Sequence, residues 1–79
     1  MPHTLGAEMV ATVHSVTVAV GETVAPDTMV VLLESMKMEI PVLAEVDGVV
    51  SEIAVSPGDT IQEGDVIAVI TEPSDRGTP

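Results

Sequence analysis

Gly21-Glu22-Thr23-Val24 and Gly58-Asp59-Thr60-Ile61 are two versions of one phrase. Their first residues lie 37 positions apart (58 − 21), and the same offset aligns apolar residues on both sides of the phrase without a gap. So extended a match predicts two copies of one supersecondary unit. The aligned pairs are Val13 with Val50, Val16 with Ile53, Val18 with Val55, Met29 with Val66, Val30 with Ile67, Leu32 with Val69 and Leu33 with Ile70.

Each copy opens with alternating apolar residues, which predict a half-buried strand. The glycine-acid pair that follows predicts a turn in which φ is positive. Continuous apolar runs come next, at 29–33 and 66–70, and predict strands buried between two sheets. A further strand is predicted to begin within 41–46, before a turn at Asp47-Gly48. The alternating residues are Val16, Val18 and Val20 in the first copy and Ile53 and Val55 in the second.

The composition favours one small all-β domain. A chain of 79 residues has no room for a substrate domain beside a scaffold, and 46% of its residues are apolar. It has no Phe, Tyr or Trp, and its apolar set is mostly Val and Ile, which favour strands over helices. We expect a domain over residues 5–72, a compact sandwich or barrel, with flexible ends at 1–4 and 73–79.

The charge and the rare residue types exclude several functions. A net charge of −11 repels nucleic acid and anionic membranes, so proteins are the expected partners. The chain has no cysteine, and its two histidines are too far apart to suggest a metal motif, so no metal site is expected. No apolar run approaches a membrane span and no signal peptide is recognisable. We expect a cytoplasmic protein that is monomeric when isolated.

Lys37 is the only lysine of the chain. It separates the apolar run ending at Leu33 from the segment that resumes at Ile40, which predicts an exposed position at a hairpin tip. Nucleophilic lysines are activated by desolvation or by a nearby cation, whereas the charges nearest to Lys37 in sequence are Glu34 and Glu39. The pattern therefore favours a lysine that another enzyme modifies, or one that serves solubility alone.

Met36 and Met38 flank this lysine. Exposed methionine lowers solubility, but its flexible thioether suits a surface that several different proteins must contact. The alternative is that both methionines fold back and cover the end of the barrel. The first interpretation makes the turn a recognition site, and the second makes it part of the core.

The segment from Glu34 to Pro41, Glu-Ser-Met-Lys-Met-Glu-Ile-Pro, resembles the Ala-Met-Lys-Met attachment motif of the biotinyl domain family. The likeness extends from about Leu5 to Glu72, and Gly58 to Ile67 looks like the last two strands of that family. The resemblance implies a flattened β-barrel of two four-stranded antiparallel sheets related by a pseudo-two-fold axis. This symmetry agrees with the repeat.

The resemblance also implies a biotin carrier that is not itself an enzyme. Lys37 would hold biotin in amide linkage, attached by a biotin protein ligase, and the biotin would shuttle carboxyl groups between a biotin carboxylase and a carboxyltransferase. Recognition by the ligase and by these partners would fall to the neighbouring residues. They are Glu34, Ser35, Met36, Met38 and Glu39.

Two departures and two alternatives accompany the resemblance. Ser35 stands where the commonest motif has alanine, and the ungapped repeat leaves no room for the protruding loop that covers biotin in some members. We therefore expect biotin on Lys37 not to be held against its own domain. A lipoyl-type acyl carrier shares the fold but usually has Asp-Lys-Ala at the turn. An unmodified lipoyl-like interaction module is the remaining alternative.

Overall fold

The computed structural model describes residues 2–72, which form eight strands in two antiparallel sheets. This agrees with the all-β fold expected from the sequence, and the described residues include no helix that could cross a membrane. The strands are β1 (Pro2–Gly6), β2 (Ala11–Val16), β3 (Thr23–Val24), β4 (Met29–Ser35), β5 (Met38–Leu43), β6 (Gly48–Ile53), β7 (Thr60–Ile61) and β8 (Val66–Thr71).

The two sheets have equivalent strand orders. One sheet is β1-β8-β6-β3 and the other is β5-β4-β2-β7. Each strand in one sheet occupies the position that the equivalent strand from the other half occupies in the second sheet: β1 corresponds to β5, β8 to β4, β6 to β2 and β3 to β7. The two halves of the chain are therefore related as the repeat predicts. Each sheet takes two strands from each half, so neither four-stranded sheet is complete without both halves.

Reciprocal hydrogen bonds at the glycine turns join the two halves. The Gly21 amide donates to the Val50 carbonyl at 2.8 Å, and the Gly58 amide donates to the Val13 carbonyl at the same distance. Both glycines have positive φ, 95° for Gly21 and 93° for Gly58, as predicted for these turns. Glycine reaches this region without the steric cost that a Cβ imposes. The repeated phrase thus adds hydrogen bonds to those of the strand pairs that join the two halves, β1–β8, β2–β7, β3–β6 and β4–β5.

The core is a single apolar cluster between the sheets, without a buried polar or charged residue among those described. Val30 and Val31 are both buried although they are adjacent, because the pairing of β4 with β5 shifts register between Met29 and Val31. Such a bulge lets neighbouring residues face the same side. The expectation that both apolar runs are buried throughout was too broad, since Val66 is exposed.

The alternating strands were predicted too far toward the C-terminus compared with β2 and β6 of the structure. β2 ends at Val16 and β6 ends at Ile53, so Val18 and Val55 lie in the connections that follow, where both are nevertheless buried. Val20 is exposed. Burial of a loop residue produces the same apolar spacing as a continued strand, which is why the sequence pattern suggested one.

The N-terminal segment also differs from expectation. We predicted that residues 1–4 are flexible, whereas Pro2 to Thr4 belong to β1 and pair with β8, with Pro2 opposite Thr71. This segment has few apolar side chains, so its ordered structure depends on pairing with the distant strand β8. Local sequence patterns do not reveal such pairing. The predicted flexible residues 73–79 lie outside the described part of the chain.

Gly48 does not form the turn that Asp47-Gly48 suggested. It is the first residue of β6, and the positive φ of this connection belongs to Glu45, at 71°. A Cβ at Gly48 would overlap the carbonyl oxygen of Thr71 and would lie 2.8 Å from Cγ2 of Ile70. Glycine is therefore required here because β8 approaches the backbone closely.

Candidate functional site

Lys37 lies at the tip of the hairpin between β4 and β5, as predicted from its sequence position. Ser35 pairs with Met38, which leaves Met36 and Lys37 as a two-residue loop. Their φ angles are 51° and 68°. Positive φ at both central residues is the pattern of a type I′ turn, whose backbone twist suits a tight hairpin. The lysine is thus held at the extreme end of a paired strand.

The residues of this turn are unusual for its geometry. Type I′ turns prefer Asn-Gly, and a residue with a Cβ in the left-handed region costs about 1–2 kcal/mol. Met36 and Lys37 both occupy that region. The fold therefore tolerates two strained residues where Asn-Gly would relieve the strain, which indicates that the turn serves something other than stability.

Both methionines are exposed. Met36 retains 90% of its accessible surface and Met38 retains 59%. They do not cover the end of the barrel, so the alternative that both methionines fold back onto the core is excluded. Thioethers projecting on either side of the lysine make an adaptable apolar contact surface.

Glu34 and Glu39 face each other directly across the hairpin. Both side chains are exposed, and like charges at directly opposite positions destabilise an antiparallel pair. The pair is therefore a second feature of the turn that opposes stability. Together with the charge of the chain, it presents negative potential on both strands that lead to Lys37.

Ser35 links the hairpin to a segment that sequence reasoning did not include in the site. Its Oγ donates to the backbone carbonyl of Val10 at 3.4 Å. Met9 and Val10 lie between β1 and β2, and both are exposed. The repeat contained a signal for them, because the aligned residues of the second half, Val46 and Asp47, do not form a comparable apolar pair.

The donor groups of the described residues fit a covalent attachment better than a metal. Within residues 2–72 no three His, Cys, Asp or Glu side chains converge on a possible ion site. His3 contacts a single carboxylate there, with Nε2 3.0 Å from Oε1 of Glu45. The primary amine of Lys37, exposed at the tip of its hairpin, suits an amide bond to a carboxylic acid.

Comparison with known families agrees with this geometry. The biotin–lipoyl family model, described as "Biotin-requiring enzyme", matches residues 2–70. The chain therefore belongs to the biotin–lipoyl family. It is 55% identical over 71 residues to the "Biotinylated protein TB7.3 homolog" of Mycobacterium leprae (strain TN), a match that covers 90% of this chain and 100% of that relative.

Solved structures show the same fold in both branches of the family. A Kluyveromyces lactis urea carboxylase superposes with a TM-score of 0.84 at 32% identity, covering 90% of this chain and 6% of that one. A lipoyl domain of the 2-oxoglutarate dehydrogenase complex from Azotobacter vinelandii superposes with a TM-score of 0.71, also at 32% identity. That match covers 86% of this chain and 96% of the lipoyl domain.

Proposed function

We propose that this protein is a biotin carrier and that Lys37 is its attachment site. The observation that carries the proposal is the position of Lys37, the only lysine, at the exposed tip of a strained turn between two exposed methionines. Similarity to a biotinylated protein along the whole length of that relative supports it. The domain itself would be a non-catalytic carrier, serving as a subunit or domain of a biotin-dependent carboxylase.

Attachment would be the work of a biotin protein ligase. The ligase would first transfer AMP from ATP to the carboxyl group of biotin, with release of pyrophosphate. Nζ of Lys37 would then form the amide bond with the carboxyl carbon, and AMP would leave. The amine loses its proton to a base of the ligase. Because Lys37 is exposed at the end of a hairpin, its amine can enter the active site of another protein without unfolding of the domain.

The residues around Lys37 have separate roles in this proposal. Met36 and Met38 give apolar contacts to the ligase and to later partners, because both are exposed. Glu34 and Glu39 meet basic groups on those partners. Ser35 contacts the segment before β2 through its hydroxyl, which lies 3.4 Å from the Val10 carbonyl. None of them acts on a substrate.

Biotin, when bound, would carry a carboxyl group between the active sites of a biotin carboxylase and a carboxyltransferase. This chain contributes a rigid support and an anchored arm. Anchoring keeps the local concentration of the arm high at both sites, so that transfer does not depend on free diffusion of a cofactor. The likeness to a domain of a urea carboxylase supports partners of the carboxylase class.

A lipoyl carrier is the second candidate, because a lipoyl domain shares the fold with a TM-score of 0.71. The turn distinguishes the two: lipoyl domains usually have Asp-Lys-Ala, and this chain has Met36-Lys37-Met38. The better superposition on a urea carboxylase, at 0.84, and the 55% identity to a biotinylated protein homolog also favour biotin. An unmodified interaction module would need no lysine at the tip, and for it Lys37→Arg would preserve function.

Capture on streptavidin from the native cell tests both parts of the proposal. We expect the protein to be retained together with carboxylase subunits, and the Lys37→Arg variant expressed at the same level to be lost from the captured fraction. Failure to retain the parent protein would contradict biotin attachment. Retention without any carboxylase subunit would contradict the carboxylase partnership while leaving the attachment site intact.

A further inference from the structure

Four exposed apolar side chains lie on or next to the lysine hairpin, and we call them the flank surface: Met9, Val10, Met36 and Met38. Met38 stands two residues before Ile40 in β5, so both side chains leave the strand on the same face. Ile40 packs against the core, whereas Met38 keeps 59% of its surface exposed. Met38 therefore continues the apolar interior outward at the hairpin end of the barrel.

Met9 and Val10 extend this surface from the other side. The Ser35 hydroxyl lies 3.4 Å from the Val10 carbonyl, a long contact that places the segment before β2 beside the end of β4. Met9 lines the same depression as Leu33 and Ile40. Val10 thus lies beside the hairpin, and Met9, its neighbour in the chain, faces the depression along β5.

The second half of the repeat lacks this arrangement. Met9 and Val10 align with Val46 and Asp47. Val46 is half-buried and packs against the core, and Asp47 is an exposed carboxylate. Because the two halves otherwise share their strands and turns, the exposed apolar pair Met9 and Val10, which has no counterpart at the aligned positions, is not a requirement of the fold.

We propose that the flank surface, with Met9 and Val10 as its outer part, is the docking site of the biotin ligase. The proposal rests on the carrier function proposed above. Unmodified Lys37 reaches only four methylene groups beyond its Cα, so the ligase must bring its active site close against the hairpin. Residues beside the turn are then covered. After attachment the arm is longer, and a carboxylase can reach its end from further away.

The charges around the flank surface define the chemistry of the partner. Glu8, Glu34 and Glu39 are exposed on the segments that carry it, and the chain has a net charge of −11. The ligase face should therefore be apolar at its centre and basic at its edge. Such an interface forms more slowly as salt screens the charges, so the KM for this protein should rise with ionic strength.

Val10→Ser and Val20→Ser form a matched pair of variants for the test. The parent residues are the same type and are 61% and 62% exposed. Val20, however, lies in the turn at Gly21, whose amide hydrogen-bonds to Val50 of β6. Strand β6 belongs to the sheet that does not contain the lysine hairpin. With purified ligase, ATP, Mg²⁺ and biotin, we expect Val10→Ser to raise KM about tenfold at unchanged kcat, which corresponds to about 1.4 kcal/mol for the loss of a covered apolar contact.

Val20→Ser should match the parent, and both variants should keep its melting temperature. Met9→Ser provides a second probe and should raise KM in the same direction. Equal KM for Val10→Ser and Val20→Ser would overturn the proposal, as would a fall in kcat alone. Normal biotinylation followed by poor use by the carboxylase would assign the surface to that enzyme instead. If the parent is not biotinylated, the carrier function itself fails.

Discussion

The Lys37→Arg variant is expected to accept no biotin from a biotin ligase, while its fold and melting temperature stay close to those of the parent. Arginine keeps the positive charge and the same left-handed backbone position, at which Lys37 has φ of 68°. It lacks the primary amine that forms the amide. Because no other lysine exists in the chain, the loss should be complete. Intact-mass measurement after incubation with ligase, ATP and biotin gives the result directly.

A double variant, Lys37→Arg with Gln62→Lys, separates the position of the amine from its mere presence. Gln62 is exposed and directly follows Ile61 of β7, which pairs with Ala11, so it lies near Val10 but not in the two-residue loop at the hairpin tip. This variant contains one exposed lysine, as the parent does, and is expected to remain unmodified. Biotin on either variant would show that the hairpin position does not define the acceptor.

Gly48→Ala is expected to lower the melting temperature by roughly 10 °C or more, since overpacking costs about 1–3 kcal/mol and each kcal/mol shifts a domain of this size by about 4–8 °C. The added Cβ would overlap the Thr71 carbonyl oxygen and would lie 2.8 Å from Cγ2 of Ile70. The first obstacle is backbone, so a change of rotamer cannot remove it. Thermal unfolding followed by circular dichroism measures the effect.

Gly6→Ala is the matched control for this substitution. Gly6 is also a strand glycine, but a Cβ there would meet nothing closer than the Asp65 carbonyl oxygen, at 3.7 Å. That is an ordinary contact, so the melting temperature should change little. If both variants unfolded at the same temperature, the close approach of β8 to Gly48 would not be a determinant of stability.

The repeat was the part of the fold that sequence could predict with the greatest detail. The offset that aligns Gly21 with Gly58 also aligns their hydrogen-bond partners, Val50 and Val13, in the structure. A glycine turn and a run of β-branched residues are local signals, and two copies of each fix the architecture. The turns predicted at Gly21 and Gly58 were right for the same reason.

The errors arose where distant contacts decide the local structure. β1 begins at Pro2 because β8 is available to pair with it, which its own residues do not reveal. Gly48 was taken for a turn residue, but its lack of a side chain accommodates Thr71 of a strand that follows much later. Neither feature has a local pattern, so periodicity and turn propensity could not identify them.

The candidate site was predicted only in part. The lone lysine between Leu33 and Ile40 indicated a hairpin tip, and the structure has one there. The strained backbone of Met36 and Lys37 was not expected, because turn statistics would place Asn-Gly at these positions. Val10 was missed because only the folded hairpin brings Ser35 beside it. Alignment of the two halves nevertheless distinguishes Val10, because the equivalent residue of the second half is Asp47.

The intact mass of the protein purified from its own cell tests the central claim most directly. We expect a single biotinyl group, with fragmentation assigning it to the peptide that contains Lys37. A lipoyl group on Lys37 would contradict the choice of biotin and make the protein an acyl carrier. An entirely unmodified population would contradict the carrier function, and the turn would then have to serve a protein contact alone.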